Sequence, residues 1–350
     1  MLVEATYKEL KDRQDLTWID VRSESEFTES SIPGAINIPL FNNEERAQIG
    51  TVYKQVNPVQ ARWLGLGIAS RKLPEIVKQI ADEAADRVAA IYCWRGGMRS
   101  RSVVTVLELM GIRAVRLTGG YRGYRQYVTE RLATMAPTDI PPLIVIHGMT
   151  GVGKTTLLRR LADLGEPVLD LERLARHRGS VFGGIGLKPA NQRQFDAVLL
   201  ETLEVVRGRP YLMMEAESKR IGHATMPDFL YEAKRTALHV ELAAPLTVRV
   251  QRTLEQYALA DGEALHQAVE RAIAFIQNRF SPDLRKRVAE WMKMRAYAPM
   301  IAALLEEYYD PRYQHAQGEY GRPEVVVDAT DLDRAAAYLC EQVWQSGRPS

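Results

Sequence analysis

GMTGVGKTT, residues 148–156, follows the apolar run Leu143, Ile144, Val145, Ile146 and precedes Leu157, Leu158, Arg159, Arg160, Leu161, so it reads as strand, glycine loop and helix. The spacing of Gly148, Gly153, Lys154 and Thr155 lets successive backbone N–H groups converge on an anion at a helix N-terminus. Lys154 adds an ammonium, and the Thr155 hydroxyl stands beside a Mg²⁺ position. Gly148, Gly151, Gly153, Lys154, Thr155 and Thr156 are the expected contacts of a phosphorylated group. A cation there is usually steadied by a carboxylate at the end of a neighbouring strand, and Glu215 and Glu217 supply two candidates that spacing does not rank. Asp170, closing a strand over 167–170, either meets substrate or a metal-bound water, or caps the next helix. Arg176 and Arg178, in ARHRGSVFGG (175–184), stand in a loop that closes on diphosphate or RNA, or is a solvated basic loop.

Working outward, strands alternate with helices on both sides of the loop. Before it come strands over 17–21, 89–92 and 114–117 and helices over 73–85, 100–110 and 121–134. This is a βα pattern with a parallel sheet. The prolines of MAPTDIPP (135–142) stop the last of these helices and mark a domain boundary, giving domains over 1–135 and 140–350. Beyond it, strands are expected over 167–170, 211–215, 238–242 and from Thr247 onward, then amphipathic helices over 265–280 and 285–309. The chain has 350 residues, 46% of them hydrophobic, and a net charge of +2, so RNA binding would need a local patch. Arg279, Arg285, Lys286, Arg287, Lys293 and Arg295, interleaved with Phe280 and Trp291, form one candidate patch, or one exposed helix face. No apolar run approaches a membrane span and the N-terminus lacks a signal peptide's order, so a cytoplasmic protein is expected.

Of the two cysteines, Cys340 lies in an apolar helical run and reads as a small packed thiol. Cys93 instead opens CWRGGMRS (93–100) just past a buried strand. Two glycines, Arg95 and Arg99, and the helix N-terminus make an anion nest there, expected to lower the thiol pKa and create an attacking or carrying thiolate. The other reading is a buried structural cysteine. IDVRSESEF (19–27), SIPGAINIP (31–39), the Cys93 loop and LTGGYRGYR (117–125) together resemble a rhodanese domain. Ser31 departs from the His common there. Arg99, six residues after Cys93, gives the Cys-x5-Arg length of rhodanese-like phosphatases, so the loop alone permits chalcogen transfer or phosphomonoester hydrolysis.

A rhodanese-like parallel-sheet domain followed by a P-loop NTPase-like α/β domain with a helical C-terminal part is a restrictive order. With FNNEERAQIGTVYKQ (41–55), DLERLARHRGSVFG (170–183), EAESKRIG (215–222) and EYYDPRY (307–313), nearly the whole chain resembles the tRNA 2-selenouridine synthases. The resemblance implies conversion of wobble 2-thiouridine in tRNA to 2-selenouridine: S-geranylation by geranyl diphosphate, then replacement of the geranylthio group using selenophosphate. It assigns diphosphate to the 148–156 loop with Mg²⁺ at Thr155, and selenophosphate to Cys93, Arg95 and Arg99. Cys93 either carries selenium or assists geranylthiol removal. Gly67, beside Trp63, lines the geranyl chain or serves helix capping or packing. No stable protein partner is implied. The rival reading is a small-molecule kinase fused to a Cys-x5-Arg phosphatase or sulfurtransferase domain; a binding module without catalysis is a third.

Overall fold

The structure, a computed structural model, describes residues 3–257, 262–317 and 323–343. It divides into two compact units, one ending at Thr134 and including Asp196–Leu200, the other formed by Met135–Phe195 and the chain from Glu201 onward.

The first unit is built on strands β1 (Glu4–Ala5), β2 (Leu16–Asp20), β3 (Ile36–Asn37), β4 (Val88–Tyr92) and β5 (Ala114–Leu117), in the parallel order β1-β5-β4-β2-β3. Helices α1 (Tyr7–Leu10), α2 (Glu24–Glu29), α3 (Asn43–Gln55), α4 (Pro58–Ala84), α5 (Met98–Leu109) and α6 (Gly120–Thr134) connect them. The central β4, VAAIY, is apolar along its length because helices cover a parallel sheet on both faces. Ile80 of α4 and Val103 and Leu107 of α5 pack with Ile19 and Ile91 in one core.

The helix read over 73–85 is longer than its pattern: α4 begins at Pro58, capped by Asn57 Oδ1 accepting the Gln60 N–H at 2.9 Å, and runs through Pro74. Gly65 and Gly67 disguise it, yet Gly65 is buried, and a Cβ there would meet Phe41 at 3.5 Å.

Beyond β2, Arg22 and Asp20 form a fully buried ion pair at 2.6 Å, and Arg22 donates to the Ser30 carbonyl at 2.6 Å while lying 4.3 Å over the Tyr121 ring. The pair braces the loop that carries α2. Removing one partner strands the other charge in the interior, so Arg22→Met is expected to destabilise this unit by about 3–5 kcal/mol. Urea unfolding checks it; a loss below about 1 kcal/mol would show that Asp20 finds another partner.

The second unit has a parallel sheet in the order β12-β11-β6-β8-β7, from β6 (Leu143–Gly148), β7 (Val168–Leu169), β8 (Leu212–Glu215), β11 (Leu238–Ala243) and β12 (Val325–Asp328). A small antiparallel pair, β9 (Arg220–Ile221) and β10 (Ala224–Thr225), precedes β11. From β6 the chain crosses to β7 at the sheet edge, returns with β8 between them, then passes to the other side of β6 with β11. Such a reversal opens a crevice at the C-terminal end of β6. Helices α7 (Lys154–Asp163), α8 (Leu171–Ala175), α9 (Gln192–Val205), α10 (Asp228–Arg235) and α11 (Leu246–Tyr257) intervene. Then come α12 (Gly262–Ile276), α13 (Pro282–Met294), α14 (Tyr297–Leu304), α15 (Asp310–Gln317) and α16 (Leu332–Tyr338).

Two expectations are corrected here. The strand expected from Thr247 onward is α11: the Val248 and Val250 alternation is too short to decide, and helical spacing brings Arg249, Arg252 and Thr253 onto one face. The single helix expected over 285–309 breaks at Arg295, which adopts the left-handed conformation (φ 53°) while Ala296 N–H returns to the Trp291 carbonyl at 2.9 Å. The restart places Pro299 in the first turn of α14, where its missing N–H costs nothing.

Candidate functional site

Gly148, Gly151 and Gly153 all take positive φ, which frees the loop to turn its N–H groups inward. Space also demands Gly151, because a Cβ there would stand 2.8 Å from the Arg249 carbonyl oxygen. Two arginines of α11 hold the outer side of the loop. Arg249 Nε donates to the Thr150 carbonyl at 2.9 Å and Arg252 Nη1 to the Val152 carbonyl at 2.6 Å. With those carbonyls bound outside, the N–H groups are left to the anion side. Arg249 is itself buried and paired with Asp310 of EYYDPRY at 2.6 Å. Reading Thr247 onward as a strand concealed this bracing; helical spacing was its only signal.

Inside the loop, Lys154 Nζ donates to the Gly148 carbonyl at 2.6 Å, while Thr155 Oγ1 donates to Glu172 Oε2 at 2.6 Å. Thr156, one residue on, is exposed. Glu215, fully buried at the end of β8, accepts the Glu172 N–H on Oε1 at 2.7 Å, and its Oε2 has no partner among the described residues. Glu217 is half-buried against Gly179, and both Lys154 and Lys234 attract its charge. Asp170 caps α8 through the Arg173 N–H at 2.7 Å, leaving Oδ2 without a hydrogen bond among the described residues and Arg159 at 3.8 Å. Glu172 is therefore the acidic residue nearest the expected cation position. It lies within DLERLARHRGSVFG, where nothing local marks it as a site residue.

Burial pushes Glu172 up to about 7, with Glu217 repelling its charge in the same direction, and burial also raises Glu215, Glu217 and Asp170. The folded chain thus keeps protons that the unfolded chain releases near 4.5, so ligand-free stability is expected to fall as pH rises from about 4.5 to about 7. Glu172→Gln should flatten that fall. Thermal melts across the window check it, and an unchanged slope in the variant would assign the protons elsewhere.

Among the described residues no group of three or more His, Cys, Asp or Glu is arranged to hold a metal ion alone. Thr155, Glu172 and the orphaned Glu215 oxygen nonetheless make an oxygen-only set near the anion cradle. That chemistry suits Mg²⁺, which takes much of its shell from phosphate and water.

Of the loop arginines, Arg176 is exposed at the left-handed end of α8. Arg178 turns inward, donates to the Ile185 carbonyl at 2.9 Å and lies 5.1 Å from the Tyr257 ring centroid. Of the two readings of the basic cluster from residue 279, the exposed helix face fits the packing better than a base-stacking patch. Phe280 is buried, Arg287 binds Glu307 and Asp283 and covers Trp291, and Arg295 pairs with Glu263. Its aromatics were needed for the helical core.

In the first unit, Cys93 follows β4 directly and is 3% exposed, with Sγ 3.2 Å from Ser100 Oγ at the start of α5. The LTGGYRGYR segment supports this loop from below: Tyr121 N–H binds the Cys93 carbonyl at 2.8 Å and Arg122 N–H the Trp94 carbonyl at 2.9 Å. Contact is so close that a Cβ at Gly120 (φ +57°) would fall 2.2 Å from the Cys93 oxygen. Arg95 is exposed and makes no ion pair among the described residues. Arg99 is bound by Glu26 at 2.6 and 3.2 Å. Burial raises the Glu26 carboxyl, but the Arg99 guanidinium outweighs it and leaves the group below its ordinary value. An anion at this loop would compete with Glu26 for Arg99. Gly67 stands on the outer face of α4 with open space where a Cβ would be. Cys340 is half-buried, and burial with nearby Glu166 pushes its thiol up to about 11.

A family model described as the tRNA 2-selenouridine synthase AAA domain matches residues 141–345, and a rhodanese-like domain model matches residues 4–127. A tRNA 2-selenouridine synthase of Nitrosomonas europaea is 37% identical over 264 residues, 74% of this chain and 68% of that protein. One from Hydrogenovibrio crunogenus is 33% identical over 330 residues, 86% of this chain and 89% of that one. One from Pseudomonas putida is 30% identical over 354 residues, covering 93% and 94%. Among the described residues no helix is long and apolar enough to cross a membrane.

Proposed function

Because the chain belongs to the tRNA 2-selenouridine synthase family, forming selenouridine in tRNA, we propose that it does so in two stages divided between its two anion sites. In the first, the thiocarbonyl sulfur of wobble 2-thiouridine attacks the allylic carbon of geranyl diphosphate. The carbon–sulfur bond forms as the carbon–oxygen bond breaks, diphosphate departs, the N3 proton is lost to solvent, and S-geranyl-2-thiouridine remains. In the second, the selenium of selenophosphate bonds to C2 as the carbon–sulfur bond breaks and geranylthiol leaves, and water then cleaves the phosphorus–selenium bond to release phosphate and leave 2-selenouridine. S-alkylation turns a poor leaving group into a good one.

The observation that carries this reading is the 148–156 cradle, braced by Arg249 and Arg252 so that its N–H groups and Lys154 could turn to one anion. Lys154 and the loop N–H groups would hold the diphosphate and neutralise the charge that grows as it leaves. Thr155 with Glu172 and Glu215 would hold Mg²⁺, which supplies further charge neutralisation when bound. Arg176 and Arg178 stand in the adjoining loop, and Asp170 fixes the start of α8 beneath it. In the other unit, Arg95 and Arg99 would receive selenophosphate beside Cys93, whose thiol would assist geranylthiol removal, because carrying the selenide-level selenium of selenophosphate as a selenylsulfide would need a two-electron oxidant.

Diphosphate release should require both thiolated tRNA and geranyl diphosphate, and should proceed without selenophosphate. ATP consumption that needs no tRNA would instead favour a kinase fused to a phosphatase-like domain.

A further inference from the structure

Between Glu45 and Glu75 the sequence contains no acidic residue, while Arg46, Lys54, Arg62, Arg71 and Lys72 bring five positive charges. This stretch makes up most of α3 and the first half of α4. Its outer face exposes large apolar side chains: Tyr53 is 59% exposed, Val59 57%, Trp63 70% and Leu66 55%. Val59, Trp63 and Leu66 recur at helical spacing on one side of α4, whereas Ala61, Gly65, Ile68 and Ala69 fill its core side. The helix thus has its core face already, and a second apolar face is left to solvent. A cluster of large exposed apolar side chains on one helix face is the kind of surface that marks an interaction site.

The charges say what would cover it. Lys72 is paired with Glu45 at 2.7 Å and Arg46 reaches Glu26 at 3.7 Å, but Lys54 and Arg62 form no ion pair among the described residues. Exposed aromatics set among unpaired cations, with no anion within the stretch, match unpaired nucleotides, whose bases stack while their phosphates need neutralising. We infer that the outer face of α3 and α4 docks single-stranded nucleotides of the tRNA substrate. Trp63 and Tyr53 stack on bases, and Lys54, Arg62 and Arg71 meet the backbone. The inference rests on the reading that the substrate is tRNA.

Binding of fluorescently labelled tRNA to the full chain tests it. Trp63→Ala should raise Kd about 5- to 150-fold, and Trp63→Phe should restore most of the affinity. Arg62→Gln and Lys54→Gln should each reduce the slope of log K against log salt by about 0.7, the value for one single-strand phosphate contact. Melting temperatures report whether the variants remain folded, and the two charge variants stand on exposed positions independent of Trp63. A Kd within twofold of wild type in Trp63→Ala, with unaltered salt slopes in the charge variants, would overturn the surface alone. So would a Trp63→Ala chain that loses self-association, vesicle binding or geranyl diphosphate affinity while holding tRNA normally. A wild-type chain that binds no tRNA would overturn the substrate reading along with it.

Discussion

A Lys154→Ala chain is expected to release diphosphate from geranyl diphosphate about 10²–10³-fold more slowly than wild type, in the presence of thiolated tRNA and Mg²⁺. Lys154 heads α7, and its ammonium sits 2.6 Å from the Gly148 carbonyl, at the mouth of the loop that would cradle the departing group. Charge accumulates on the diphosphate as the allylic bond breaks, so the interaction strengthens toward the transition state and its loss should fall on kcat. The ion pair of Arg249 with Asp310 and the glycine backbone do not depend on Lys154, so the loop should keep its shape. Single-turnover release of diphosphate checks this. A variant within threefold of wild type would remove the 148–156 loop from the alkylation step.

The second large effect separates the stages. Cys93→Ser should retain geranylation within a few-fold yet lose selenouridine formation by on the order of 10³-fold or more. A serine hydroxyl occupies nearly the same volume beside Ser100 and preserves the strand-end packing, but it does not assist thiol departure at neutral pH. The expected product is tRNA arrested as S-geranyl-2-thiouridine, read by nucleoside mass. Loss of geranylation together with selenation would contradict the division of labour between the two sites.

Much of this was legible in the sequence because the motifs encode backbone constraints. Gly148, Gly151 and Gly120 occupy positions where a Cβ has no room, and Gly153, Gly119 and Gly123 positions where it would fit only tightly, so the spacing of these glycines reports geometry directly. Strands β4, β5 and β8 were equally plain, since buried parallel strands read as apolar runs bounded by turn residues. What escaped depends on partners distant in sequence. Arg249 acts through its contacts with Thr150 and Asp310, and nothing in the local alternation of Val248 and Val250 reveals them. Glu26 lies inside a motif that carried the family resemblance, yet its hold on Arg99 spans 73 residues. Glu172 gained its place at Thr155 because the Asp170 cap turns α8 toward the loop. Arg279 to Arg295 looked like a nucleic-acid face from composition, but Asp283, Glu307 and Glu263 take up two of those arginines. Conversely, the exposed face of α4 escaped because the helical pattern was recognised only from residue 73, whereas the helix begins at Pro58.

The central claim is that alkylation precedes and enables selenation. Its most direct measurement is a time course in which wild-type protein, tRNA bearing 2-thiouridine, geranyl diphosphate and Mg²⁺ react first, selenophosphate is added later, and digested nucleosides are weighed throughout. A geranyl mass increment on 2-thiouridine should build up and then decay as 2-selenouridine appears in equal amount. Formation of 2-selenouridine without geranyl diphosphate, or a geranyl increment that selenophosphate never consumes, would contradict the account.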